Sequence, residues 1–158
     1  MAETKSLDYV YGYVFSKCLN RPVTEQIVSL LCADLISDDN AGKAFTFRQL
    51  CTAADETAGK HFTDADFLPP EINDYLISAL VIEGVDNNAA SFRPVKAALK
   101  RLDSPYKEVF MMHTAGKLPF DIECQLFDRG PAWCRRTYYD AKYMFFRYLK
   151  EEQDADRL

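Results

Sequence analysis

Apolar residues recur at steps of three and four along the first sixty residues, which is the spacing of one face of an α-helix. This spacing predicts a first helix over residues 6–20 and a second over 21–37, with Pro22 in its first turn. A third, shorter helix is predicted from about residue 45, with Gly59 as its stop. The N-terminal part therefore indicates a small helical unit.

The pattern is ambiguous in the middle of the chain. Pro69 and Pro70 favour the start of a helix in the stretch EINDYLISALVIE, but residues 77–85 are almost continuously apolar and are also compatible with a strand. The following GVDNNAAS is rich in turn-forming residues. We therefore interpret residues 63–92 as a linker with one helix, and the strand stays open as an alternative.

The C-terminal part predicts four further helices, in the order FRPVKAALKRL, SPYKEVFMMHTAG, LPFDIECQLF and AWCRRTYYDAKYMFFRYLKEE. Ser104 is expected to cap the second of these, with Pro105 in its first turn and Gly116 at its end. Gly130 and Pro131 suit the N-cap and first position of the last helix. A short helix, a tight turn and a longer helix form a helix-turn-helix arrangement.

These elements predict an all-α protein with two small helical domains. The first domain is expected over residues 1–62, the linker over 63–92 and the helix-turn-helix domain over 93–152, followed by an acidic tail at 153–158. A chain of 158 residues with 48% hydrophobic content has enough apolar material for such cores.

The last long helix carries the main candidate chemistry. Its inward face is predicted to consist of Cys134, Tyr138, Ala141, Phe145 and Tyr148. Arg135, Tyr139 and Lys142 follow the same spacing about 100° away, and Arg136 lies near the helix start. Arginine can pair with guanine edges, and lysine or tyrosine can hold phosphates. The alternative is an amphipathic helix whose basic side is merely solvated.

Charge is unevenly distributed along the chain. The net charge is −5, yet residues 101–150 carry 9 Lys/Arg against 6 Asp/Glu, while residues 1–100 carry 9 against 14. Acidic proteins do not coat nucleic acid indiscriminately, because such binding depends on neutralised phosphates. The distribution favours a local anionic partner for residues 101–150.

Other function classes find little support in the sequence. Five widely spaced cysteines and two histidines indicate buried free thiols in a reducing compartment and no metal site. We find no phosphate-binding glycine loop and no nucleophile elbow, and His113 is interpreted as a helix-face side chain, so we expect no enzyme and no cofactor. The sequence also shows no membrane span or export signal, which predicts a cytoplasmic protein.

One stretch resembles a known family. SPYKEVFMMHTAGKLPFDIECQLFDRGPAWCRRTYYDAK is similar to region 4 of the extracytoplasmic-function (group 4) sigma factors of Firmicutes, over about forty residues. Their typical segments read EPYKEVF, GELSFKEI, LFG and WARVTYYRAK. The matching residues are Pro105, Tyr106, Lys107, Glu108, Val109, Phe110, Gly116, Leu118, Phe120, Leu126, Phe127, Trp133, Arg135, Thr137, Tyr138, Tyr139, Ala141 and Lys142.

The resemblance implies a sigma factor that directs promoter-specific transcription initiation. Region 4 would read the minus-35 element of double-stranded promoter DNA through Arg135, Arg136, Thr137, Tyr139 and Lys142. Region 2, which DYVYGYVFSKC and FRQLCTAA resemble more faintly, would bind the RNA polymerase core, with Glu25 as its polymerase contact. An anti-sigma factor is a further candidate partner.

The chain departs from the family in both regions. EQIVSLLC stands where the family has an acidic run, so the resemblance is that of a member degenerate in region 2. In region 4, Asp128 replaces a turn glycine, Glu123 falls at an apolar site, and Arg136 and Asp140 replace a valine and an arginine. The alternative function is therefore a sigma-like protein that acts as an interaction module or as a DNA-binding regulator without polymerase function.

Overall fold

The computed structural model describes residues 2–36, 44–62 and 92–156, and its regular secondary structure in these ranges is entirely helical. In chain order the α-helices are α1 (Ala2–Cys18), α2 (Arg21–Leu35), α3 (Phe47–His61), α4 (Phe92–Arg101), α5 (Tyr106–Thr114), α6 (Phe120–Glu123) and α7 (Pro131–Asp156). A short 3₁₀ helix, Cys124–Leu126, continues α6. The all-α prediction is confirmed for these ranges. The choice between helix and strand at residues 77–85 lies outside them.

Local hydrogen bonds explain where α2 and α3 begin. Asn20 caps α2, because its side chain accepts from the backbone N–H of Val23 at 3.2 Å. Thr46 and Gln49 form a capping box on α3, in which each side chain accepts from the other residue's backbone N–H, at 3.1 and 2.9 Å. Both starts are thus set by residues next to them in the sequence.

Two predicted helix boundaries were wrong, one at the end of α3 and one at the start of α5. Gly59 does not stop α3, which continues to His61 before Phe62 adopts an extended conformation. Ser104 does not cap α5, because the N-cap position is occupied by Pro105 and no side chain makes a capping hydrogen bond there. Neither residue type is decisive alone, since a glycine can continue a helix and a serine caps only at the right position.

Two hydrophobic clusters form the interior. Helices α1, α2 and α3 pack together through buried side chains that include Val10, Ile27, Leu31 and Leu50. Helices α4, α5 and α7 enclose the second cluster, which includes Val95, Val109, Phe110, Tyr138 and Phe145.

Helix α1 takes part in both clusters. Phe15 of α1, and Leu19 directly after it, pack with the C-terminal helices, while Met112 of α5 and Leu118 in the following loop pack with the N-terminal ones. A Cβ on Gly12 would overlap the carbonyl oxygen of Gly116, so the two backbones can approach only because both residues are glycine. The described parts of the two predicted domains are therefore in direct contact, and their division into domains stays a prediction.

The predicted inward face of α7 is largely confirmed. Cys134, Ala141 and Phe145 are completely buried and Tyr138 is almost so. Tyr148 is only half-buried. The guanidinium of Arg101, at the end of α4, lies 4.1 Å from the centroid of the Tyr148 ring. Leu149 is buried on this side of α7 instead.

Candidate nucleic-acid interface

Helix α6 and the 3₁₀ turn are followed by a tight turn and the long helix α7, which is the order of elements that the sequence predicted. Their function as a helix-turn-helix stays a prediction. Between them Asp128 adopts a left-handed backbone with φ of 54°, a conformation that aspartate tolerates better than most residues and that glycine adopts freely. Its carboxylate also pairs with Arg48 of α3 at 2.6 Å, on the protein surface. Asp128 therefore serves as the turn residue at the position where the sigma factors that the sequence resembles have glycine.

The start of α7 follows the predicted pattern. The Gly130 carbonyl accepts from the backbone N–H groups of Trp133 and Cys134 at 3.1 and 3.3 Å, and Pro131 is the first helical residue. The Trp133 ring packs against Phe127 with centroids 5.5 Å apart. Trp133 is thus a packing residue that holds the turn against α7.

His113 connects three helices around this turn. Its Nδ1 lies 2.8 Å from the Leu118 carbonyl oxygen, and its ring stacks on Phe120 of α6 with centroids 4.2 Å apart. The ring also meets the edge of Tyr138 of α7, at 4.4 Å. These contacts position α6 relative to α7, so His113 packs between helices, whereas the sequence indicated only a helix-face side chain.

Three of the predicted DNA-contacting residues share an exposed surface on the first turns of α7. Arg135, Arg136 and Tyr139 are exposed, and Tyr139 keeps 56% of its surface open to solvent. The Arg135 guanidinium lies 5.8 Å from the Phe120 ring, so this arginine borders α6. Asp140, which follows Tyr139, is also exposed and adds a negative charge to this surface.

The structure differs from the prediction at Thr137 and Lys142. Thr137 is buried with 6% exposure, because it follows Cys134 by three positions and precedes Ala141 by four, which places it towards the core. Lys142 is half-buried and already interacts with other residues of the protein. The burial of Thr137 does not support direct contact with DNA, and Lys142 is less accessible than its spacing suggested.

Behind this surface lies a buried acid. Glu123 is fully buried beside the Cys134 thiol, a weak donor, and neither carboxyl oxygen accepts a hydrogen bond of ordinary geometry from the described residues. Burial raises the pKa of Glu123 to about 8, against a smaller lowering by the neighbouring Cys134 thiol. Burial also raises the pKa of Cys134. The sequence signal for this site was an acid at a position that is apolar in the sigma factors that the sequence resembles.

The predicted polymerase contact lies in another part of the protein. Glu25 is exposed on α2, where it lines a shallow depression together with Pro22, Gln26, Ser29 and Leu30. Leu30 keeps 38% of its surface exposed. This surface combines one acid with apolar and neutral groups.

The remaining candidate chemistry is limited. All five cysteines are free thiols, four of them buried and Cys32 half-buried, and burial raises the pKa of Cys51 to about 12. In residues 2–36, 44–62 and 92–156, no three His, Cys, Asp or Glu side chains are grouped to hold a metal ion. Within the same ranges, each helix is too short or too polar to cross a bilayer.

Comparison with known proteins adds no relative. No protein family, curated protein or solved structure matches the chain.

Proposed function

We propose that this protein is a sigma factor, a DNA-binding subunit that directs RNA polymerase core to promoters through the first turns of α7. The observation that carries the proposal is the exposed group of Arg135, Arg136 and Tyr139, which directly follows a short helix and a left-handed turn. In helix-turn-helix proteins the N-terminal residues of the second helix contact base edges in the major groove.

The packing that holds α7 and α6 in place supports the same function. Cys134 and Tyr138 fix α7 from behind, and the stack of His113 on Phe120 holds α6 beside it. An arginine held on a rigid helix loses less freedom on binding than one on a mobile loop. A bidentate arginine contact with guanine contributes roughly 1–3 kcal/mol of discrimination between bases.

A selection experiment tests DNA recognition. The protein is incubated with a randomised duplex library, and the recovered sequence is measured by fluorescence anisotropy against a scrambled duplex. Arg135→Ala and Arg136→Ala should each reduce the preference for the selected sequence by roughly tenfold or more, as expected for a lost base contact. Lys107→Ala removes an exposed charge from α5 and serves as the matched control. No selected sequence, or an unchanged preference in both arginine variants, would contradict DNA recognition by α7.

Initiation is tested separately by transcription in vitro with bacterial core polymerase on templates that carry the selected element. Specific transcripts that disappear with Arg135→Ala support the sigma factor. DNA binding without initiation supports the second candidate function.

That second candidate is a sigma-like regulator or interaction module that does not engage polymerase. Two observations favour it: Leu30 is exposed on α2 where the sigma factors that the sequence resembles present an acidic run, and the two halves pack against each other through Gly12 and Gly116. Sub-micromolar binding to core polymerase that is lost on Glu25→Lys would argue against this candidate.

A further inference from the structure

The exposed face of α7 extends well beyond the first turns. Arg136, Tyr143, Arg147 and Lys150 follow one another at steps of seven, four and three, and Tyr139 lies on the same side of the helix. Tyr143 is 71% exposed, although a tyrosine ring is a large partly apolar group. We term Tyr143, Arg147 and Lys150 the distal strip.

The length of α7 separates the distal strip from the groove-reading residues. At 1.5 Å per residue, Tyr143 lies about 10 Å and Lys150 about 21 Å further along the axis than Arg136. The major groove of B-DNA is roughly 12 Å wide. A straight helix that inserts its N-terminal turn therefore carries its third and later turns out of the groove and towards the flanking backbone.

Two acids at the C-terminal end of α7, Glu151 and Glu152, are engaged by α4. Arg101 pairs with Glu151 at 2.7 Å, and Arg93 pairs with Glu152 at 3.4 Å. Arg147 also approaches Glu151, at 3.6 Å, so it shares this carboxylate with Arg101. Arg147 and Lys150 give the distal strip two cations that complement phosphate, while the exposed Asp154, four residues after Lys150, borders the strip with one negative charge.

We infer that Tyr143, Arg147 and Lys150 contact the sugar-phosphate backbone of the same duplex whose groove receives Arg135 and Arg136. The inference rests on the proposed function and adds a second contact zone to it. The Tyr143 hydroxyl can donate to a phosphate oxygen, and the two cations can neutralise neighbouring phosphates. Such contacts position the protein on the duplex without reading its sequence.

The salt dependence of binding distinguishes the two zones. We propose anisotropy titrations of the full chain with the selected and the scrambled duplex over a range of salt concentrations. The proteins compared are wild type, Arg147→Ala, Lys150→Ala and Tyr143→Phe. Each lost phosphate contact lowers the slope of log K against log salt by about 0.9. We expect this change for the two cation variants, with equal weakening on both duplexes. Tyr143→Phe should weaken both without changing the slope. Lys96→Ala, an exposed lysine of α4, should leave affinity and slope unchanged.

Two outcomes overturn the inference in distinguishable ways. If wild type binds the selected duplex and Arg136→Ala weakens its preference, but the three distal variants bind like wild type, the backbone contact is wrong while the proposed function stands. The distal strip would then be a surface for another partner. If wild type binds no duplex at any salt concentration, the proposed function and the inference both fail.

Discussion

The buried carboxyl of Glu123 makes the stability of this protein depend on pH in a way that one substitution should abolish. Glu123 is fully buried, its carboxyl oxygens accept no hydrogen bond of ordinary geometry from the described residues, and its pKa is raised from 4.5 to about 8. In the unfolded chain the same carboxyl has an ordinary pKa close to 4.3. Folding therefore forces the carboxyl to stay protonated over several pH units.

The sign and size follow from proton linkage. Below about pH 4.5 both states hold the proton, and Glu123 adds no pH dependence. As the pH rises towards 8, the unfolded state releases its proton while the folded state retains it, so stability falls by about 1.4 kcal/mol per pH unit. Over the whole interval the loss is on the order of 5 kcal/mol, and it is constant above the folded pKa.

Glu123→Leu removes this titration and fills the same apolar site. We expect the variant to be more stable than wild type by an amount that grows from pH 5 to pH 8 and reaches several kcal/mol. A further difference of roughly 1–3 kcal/mol, independent of pH, is expected because the buried carboxyl makes no hydrogen bond of ordinary geometry and costs free energy even when protonated. The growth of the difference with pH is therefore the diagnostic quantity.

Urea denaturation followed by far-UV circular dichroism at pH 5, 6, 7 and 8 measures this difference directly. Equal m-values for the two proteins would show that they expose the same surface on unfolding. Glu56→Leu, at an exposed position of α3, is the matched control and should keep the pH dependence of wild type. Parallel stability profiles for wild type and Glu123→Leu would refute the reasoning, because they would mean that the Glu123 carboxyl titrates normally in the folded protein.

Two further predictions concern the packing and the ends of the helices. Gly12→Ala should destabilise the protein by about 1–3 kcal/mol, because the new methyl group would overlap the Gly116 carbonyl. A Cβ at Gly59 meets open space, so Gly59→Ala should instead stabilise α3 by up to about 1 kcal/mol. A destabilised Gly59→Ala together with an unchanged stability of Gly12→Ala would contradict this packing. Thr46→Ala should cost about 1 kcal/mol through loss of the capping box, while Thr52→Ala within the same helix should cost less, both measured by urea denaturation.

Much of the local structure could be predicted from the sequence. The periodicity of apolar residues indicated the helices and the inward side of α7, on which Cys134, Ala141 and Phe145 are buried. Gly130 and Pro131 marked the start of α7 correctly. Such features depend on residues within one or two helical turns of each other, so a single stretch contains the information. The exposure of Arg135, Arg136 and Tyr139 followed from the same periodicity.

The tertiary structure decided what depends on residues far apart in the chain. The contact of Gly12 with Gly116 joins positions about a hundred residues apart, and no local pattern indicates it. The burial of Thr137 shows that a match to a motif does not place a side chain on the surface.

Glu123 shows most clearly the difference between what a local pattern indicates and what tertiary packing decides. The resemblance to sigma factors indicated an acid at a position expected to be apolar, but only the packing of α6 against α7 shows that its carboxyl is buried. The physical reason is that helix periodicity is a short-range property of the backbone, whereas burial and the pKa of a side chain depend on every element that packs around it.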